Sequence, residues 1–304
     1  MLLLRVIFRD PEERRIIIYY EKHMRHQDWG KLVERQKNRA EHPGTPSISK
    51  EILDIYEEYI TKILGKKKNP SCLVMGATPE LRDFALKTKS KVVVVDLFPG
   101  QIKAMSNLMA YQDSPNETKI IADWLEMDKV LKKDSFDMII GDACFANVRS
   151  EYWGRLAGNC CQLLKKDGRM LIRDLVYVPE HVKKSAARYV ADYRSGIIKF
   201  PDLYVNLLFY STDITTWDKK RPKVEYAIIN KRMRNLYRKG VFDKNEYERL
   251  IKLVPPGTSR FFVPLKGFKR NLEKYFILLP VKQAKEFDFL GGTIPFFLGK
   301  PIKK

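Results

Sequence analysis

Hydrophobic positions along the 304-residue chain follow three rhythms. Over residues 50–64 apolar side chains recur at helical spacing, with Ile52, Ile55, Tyr56, Tyr59, Ile60 and Ile63 on one stripe and Ser49 where an N-cap belongs. Upstream, residues 12–30 hold a short apolar stretch and then a polar segment bearing His and aromatic residues, and EHPGTPS at 41–47 reads as a loop. From 72 to 177 the pattern becomes short, nearly continuous apolar runs. They predict strands at 72–76, 91–96, 118–123, 136–142 and 169–177. Helices fall between them over TPELRDFALKT, PGQIKAMSNLMAY and 150–164, with a turn at KKDG. The four valines of KVVVVD suit a parallel strand covered on both faces. Strands alternating with helices at this spacing predict a doubly wound, mostly parallel α/β sheet with right-handed crossovers.

The alternation stops near residue 179. Helices are predicted over about 180–195, 203–212, 223–239, 243–252 and 264–274, and YFILLPV (275–281) and TIPFFLG (293–299) read as a closing antiparallel strand pair. The chain is therefore expected to comprise an N-terminal helical, lid-like segment (1–69), a sheet core (70–178 with 260–304) and a basic helical insertion after the fifth strand (179–259). No internal repeat or low-complexity tract interrupts it.

Composition narrows the function classes. Hydrophobic residues make up 44% and aromatics 12%, enough apolar material for a core and too much for a disordered chain. No apolar run approaches the roughly 20 residues that a bilayer span needs, and MLLLRVIFRD is too short for a secretory signal. The four cysteines (Cys72, Cys144, Cys160, Cys161) show neither CxxC nor Cys/His ligand spacing, so no metal site is expected and a reduced, cytoplasmic setting is. The net charge of +20 is unevenly placed: residues 1–70 hold 15 basic and 11 acidic residues, 71–178 hold 15 and 14, and 179–304 hold 27 and 12. The excess belongs to the C-terminal part. It serves either phosphate-bearing or acidic partners or a Lys-rich solvated surface.

The candidate chemistry sits in CLVMGATPELRDFALKTKSKVVVVDLFPGQIKAM. Gly76 ends the first strand where the chain must turn sharply into a helix, and Thr78, Pro79 and Glu80 fit an N-cap, a first-turn proline and a first-turn acid. Asp96 ends the second strand, 20 residues after Gly76, where an acid in a doubly wound sheet can accept hydrogen bonds from ribose hydroxyls. GATPEL lacks the later glycines of GxGxxG, and Glu80 would oppose a phosphate at the helix N-terminus. Both points disfavour NAD or FAD. S-adenosylmethionine, with ribose and adenine, no phosphate and a cationic sulfonium, suits the run better.

These residues carry a resemblance. LVMGATPELR, VVVVDLFPGQIKAM, IIADWLEM, DSFDMIIGDACFANV and LLKKDGRMLIRD, in this order and spacing, resemble the core of class I (seven-stranded, Rossmann-like) S-adenosylmethionine-dependent methyltransferases over 70–178, and the strand pair near the C-terminus fits that family's closing hairpin. The resemblance implies S-adenosyl-L-methionine as cofactor. It implies Gly76, Ala77, Thr78 and Pro79 around the methionine part, Asp96 on the ribose and Leu97 on the adenine. Asp123 would accept from the adenine amine with Trp124 beside it, and Asp142 would stand where cofactor and substrate meet.

Methyl transfer from a sulfonium needs an in-line nucleophile, and a base only where the acceptor holds its proton. GDACFANV lacks the (Asp/Asn)-Pro-Pro-(Tyr/Phe) signature of amino-group nucleic-acid methylation, and no Pro-Cys pair marks a cytosine-C5 nucleophile. No catalytic residue is identified outright; Asp142, His23 and His26 are the candidates. His181 begins the insertion, while Tyr20 and Trp29 are candidate lid residues and Trp29 a substrate contact. Lys231, Arg234 and Arg238 lie on one helical face suited to tracking phosphates. The acceptor is left as a small molecule or RNA, with no membrane partner. A catalytically inactive methyltransferase-fold protein that binds RNA or a partner is the alternative.

Overall fold

The computed structural model describes residues 49–303 except 219, 221, 255–258 and 286–293. The chain enters through helix α1 (Lys50–Leu64), which Ser49 caps by accepting from the Ile52 amide at 3.4 Å. The apolar stripe of α1 lies on the sheet with Ile52, Ile55, Tyr56, Ile60 and Leu64 buried. Then follow β1 (Ser71–Met75), α2 (Pro79–Lys87), β2 (Lys91–Asp96), α3 (Pro99–Ser106), β3 (Glu117–Ile121), the single turn α4 (Met127–Val130), β4 (Phe136–Asp142), α5 (Trp153–Leu163) and β5 (Leu164–Arg173). The insertion contributes α6 (Ala186–Arg194), α7 (Phe200–Phe209), β6 (Lys223–Glu225), α8 (Tyr226–Arg238) and α9 (Lys244–Leu253). After β7 (Ser259–Phe261) and α10 (Leu265–Glu273), β8 (Phe276–Leu279) and β9 (Phe296–Pro301) close the sheet.

The seven strands run in the order β3-β2-β1-β4-β5-β9-β8. Strands β1–β5 are parallel, and β9 is antiparallel to both β5 and β8. The α/β, doubly wound architecture and the antiparallel closing pair thus match the sequence-based expectation. Strand alternation sends Cys72, Val74, Val92, Val94, Met138 and Ile140 to one face under α1, α2 and α3. It sends Leu73, Met75, Val95, Ile139, Met170 and Ile172 to the other, under α5 and α10. The insertion has its own core, in which nearly every residue of α7 is buried, and it reaches the sheet end through Ala146, Leu175, Tyr177 and Phe262.

Three local expectations are corrected. KKDG is not a turn: Leu164 pairs with Phe136 and Arg169 with Met138, so residues 165–168 bulge within a continuous β5. Asp137, between the paired residues, draws the bulge in through Lys165 Nζ at 2.8 Å. Helix α8 does not begin at 223, because Lys223–Glu225 pairs with Ser259–Phe261 as a two-stranded antiparallel ribbon. The insertion's first two helices also begin elsewhere. Ser185 caps α6 by accepting from the Arg188 amide, and α7 starts at Phe200, with Pro201 in its first turn and the Lys199 amide donating to Asp202.

Asp137 also binds the start of β1, accepting from the amide and hydroxyl of Ser71, and Lys67 adds a second ammonium at 3.0 Å. Burial works to raise this carboxyl, but Lys165, Ser71 and Lys67 outweigh it and hold it at about 2. Its folded value lies below the unfolded one, so the stabilisation is complete above pH ~4 and is lost as pH falls through 2. Because the lysine partners are partly exposed, Asp137→Asn is expected to cost about 1–2 kcal/mol at pH 7. Urea unfolding from pH 7 to pH 2 checks it: the variant should lose less stability over the acid range than the wild type.

Candidate functional site

The order of the sheet reverses between β1 and β4, and at such a switch point the carboxyl ends of the strands diverge into a crevice. The residues there are held by backbone geometry more than by side-chain bonds. Gly76 leaves β1 at φ 89°, a conformation that side chains rarely adopt, and donates its amide to the Val95 carbonyl at 2.9 Å. The same carbonyl accepts Trp124 Nε1 at 2.8 Å, so one oxygen ties together the ends of β1, β2 and the turn after β3. The Trp124 ring lies over Gly76, 3.6 Å from where a Cβ would stand.

Ala77 is buried in this turn, and Pro79 opens α2 as expected. Thr78 occupies the N-cap position, but its side chain makes no capping hydrogen bond. Asp96 is 5% exposed and accepts from the Phe98 amide at 2.9 Å. Burial pushes its carboxyl up to about 6, against the pull of the Phe98 and Leu97 amides. Leu97 is half-buried beside it. Asp123 is exposed and accepts from the Leu125 amide, capping the short turn that carries Trp124. The structure therefore brings Gly76, Ala77, Asp96, Leu97, Asp123 and Trp124 to the ends of three adjacent strands. Asn159, on α5, braces the Trp124 turn by donating to the carbonyls of Trp124 and Leu125.

Asp142 ends β4 one strand further on. Arg173, its register partner on β5, clasps it bidentately, Nε to Oδ1 at 2.6 Å and Nη2 to Oδ2 at 3.1 Å. Tyr56 inserts from α1, donates to the Gly141 carbonyl at 2.8 Å and accepts from the Arg173 amide at 3.1 Å. Both carboxylate oxygens of Asp142 are thus engaged by Arg173, which holds the side chain in place at the end of β4. Just past the end of β5, Asp174 is fully buried and accepts from the amides of Phe145 (2.6 Å), Ala146 (3.0 Å) and Leu175 (2.8 Å). Burial raises this carboxyl to about 7 while those amides pull it down. It fixes the turn that follows Asp142.

His181 lies half-buried in the insertion, Nε2 2.7 Å from Asn206 Oδ1 and its ring edge-on to Tyr210. Burial lowers its basicity, with Asn206 opposing and Lys184 reinforcing. Lys231, Arg234 and Arg238 are exposed along one face of α8. Tyr20, His23, His26 and Trp29 lie outside the described residues. Sequence reasoning missed Tyr56, Asn159, Arg173 and Asp174. The signal for two of them was present: RMLIRD ends an apolar strand on two opposite charges.

The chain matches no protein-family model and no curated protein. Solved structures do resemble it. The PH0226 protein from Pyrococcus horikoshii OT3 is 13% identical, with a TM-score of 0.51 over 88% of this chain and 99% of that one. A protein from Listeria monocytogenes, proposed to be an S-adenosylmethionine-dependent methyltransferase, is 10% identical, with a TM-score of 0.50 over 83% of this chain and 98% of that one. At such identities the likeness is one of fold. Among the described residues no helix is long and apolar enough to cross a membrane, and no group of His, Cys, Asp and Glu could hold a metal ion.

Proposed function

We propose that this chain, which has the Rossmann-like fold of class I S-adenosylmethionine-dependent methyltransferases, transfers a methyl group from S-adenosyl-L-methionine to an acceptor at the mouth of its helical insertion. The observation that carries the reading is the convergence of Gly76, Asp96 and Asp123 at the carboxyl ends of β1, β2 and β3. The residues fit the cofactor. Gly76 presents backbone without a Cβ beneath Trp124, Asp96 is a buried acceptor with no ion-pair partner among the described residues, and the first turn of α2 offers Glu80 where a phosphate would be repelled and a cation is not.

In this reading Gly76, Ala77, Thr78 and Pro79 surround the methionine part, Asp96 accepts from the ribose hydroxyls, and Leu97, Asp123 and Trp124 flank the adenine. The cofactor supplies an electrophilic methyl, which passes to a lone pair of the acceptor as the carbon–sulfur bond breaks and S-adenosylhomocysteine leaves. The chain's own contribution is positioning. Asp142, locked to Arg173, orients the acceptor beside the methyl, and the Asp174-pinned turn shapes the mouth. His23 and His26 stay candidates for a base.

Calorimetric titration with S-adenosylmethionine and S-adenosylhomocysteine, with NADH as control, tests this. Micromolar binding of both adenosyl ligands, none of NADH, and loss on Asp96→Ala are expected. The ribose hydroxyls donate far more strongly to a carboxylate than to a carboxylic acid, and burial pushes the Asp96 carboxyl up to about 6. Only about a tenth of the carboxyl is ionised at pH 5, so wild-type affinity should fall roughly tenfold from pH 8 to pH 5, beyond any change seen in Asp96→Asn. A folded sample that binds neither adenosyl ligand, or an Asp96→Ala variant that binds as tightly as wild type, defeats the proposal.

A further inference from the structure

Helix α8 carries three cations that no acidic side chain pairs with among the described residues. Lys231, Arg234 and Arg238 make no ion pair or hydrogen bond among the described residues, and with Ala227, Asn230 and Asn235 they form a shallow, open groove along the exposed face of α8 alone. Other arginines of the insertion are spent: Arg232 donates to the carbonyls of Ile214 and Thr215, and Arg194 clasps Glu246. The three unspent cations follow one another at the spacing of a single helix face, spanning about 10 Å along the axis. The opposite face of α8, Tyr226, Ile229 and Met233, is buried in the insertion core.

The groove is tied to the candidate site. Strand β6 leads directly into α8 and pairs with β7, and β7 packs on the Phe145–Asn147 turn just after Asp142. Trp217 Nε1 donates to the Phe262 carbonyl and secures the same junction. The N-terminal end of α8 is thus linked, through this ribbon, to the turn that follows Asp142.

We propose that this groove binds the phosphodiester backbone of an RNA strand, which makes RNA the acceptor; the inference deepens the methyl-transfer reading and rests on it for the chemistry alone. Two arginines and a lysine in a row match successive phosphates, which Arg can meet bidentately. Asn235 stands among them with an exposed amide that both donates and accepts, as sugars and base edges require and a carboxylate chain does not. A lipid surface suits the groove poorly, because its lining holds no large apolar side chain to insert.

The test is fluorescence anisotropy of the full chain with a labelled 20-nucleotide single-stranded RNA over a salt series, for wild type and Lys231→Ala/Arg234→Ala/Arg238→Ala. Three lost phosphate contacts should flatten the log–log salt slope by about 2 and weaken binding about tenfold or more at 0.1 M salt. All three positions are exposed, so the melting temperature should not move. No RNA binding by the wild type, an unchanged slope in the variant, or polyglutamate competing as well as RNA at equal ionic strength overturns the proposal. S-adenosylmethionine titration of the same two samples separates the readings: a groove that fails to bind RNA in a chain that binds the cofactor leaves methyl transfer standing.

Discussion

Arg82→Met is expected to cost about 3–5 kcal/mol of stability, because it strands a buried carboxylate. Arg82 on α2 is fully buried and Glu117 at the start of β3 nearly so, with side-chain exposures of 0% and 2%. The guanidinium grips Glu117 with Nε at 2.8 Å and Nη2 at 2.7 Å, and Nη2 also donates to the Ser106 hydroxyl on α3 at 2.7 Å. The Lys119 ammonium, at 3.6 Å from Glu117 and partly exposed, is too far and too wet to replace it. Glu117→Gln should cost less than Arg82→Met, since a neutral amide still accepts from the guanidinium. Arg82→Met/Glu117→Leu should recover part of the loss, as replacing a whole buried pair with apolar groups often does. Urea unfolding of the wild type, Arg82→Met, Glu117→Leu and the double variant closes the cycle. Additive losses would show that the pair is not coupled and that α2 is held by packing alone.

Asp174→Ala is expected to cost about 3–5 kcal/mol, because three backbone amides lose their acceptor in a site closed to water. Oδ1 serves Ala146 and Leu175, and Oδ2 serves Phe145. Asp174→Asn keeps the Oδ1 pair but turns an N–H₂ toward the Phe145 amide, so an intermediate loss of about 1–3 kcal/mol is expected. Both variants should also raise protease sensitivity around residues 143–149, because the turn after Asp142 is pinned at this point. Equal stability of Ala and Asn variants would sink this account and assign the residue's role to side-chain volume.

Much of the fold was legible because its signals are local. Ser49 and the stripe behind it mark α1, and the KVVVVD run marks a strand buried on both faces. The spacing of Gly76 and Asp96 places both at strand ends, since parallel strands joined by helices bring those ends to one edge. The errors share one cause. KKDG has turn composition, yet Asp137 on the neighbouring strand folds it into a bulge through Lys165. Lys223–Glu225 reads as helix on its own residues but pairs with Ser259–Phe261, far away in the chain. Local propensity is overridden where a non-local partner is stronger.

By itself the sequence determined the order and kind of the sheet core's main strands and helices, the placement of the glycine turn and the two acids, and the concentration of positive charge after residue 178. These follow from periodicity, from the steric freedom of glycine and from counting charge, none of which needs a partner in space. Only the tertiary structure decided which charges are engaged. It set Arg173 beside Asp142, buried Asp174 against three amides, carried Tyr56 from α1 to the end of β4, and left Lys231, Arg234 and Arg238 with no carboxylate partner among the described residues, unlike Arg82 and Arg194. Whether an ionisable side chain holds structure together or meets a ligand depends on what stands within about 4 Å of it, and that distance is set by folding.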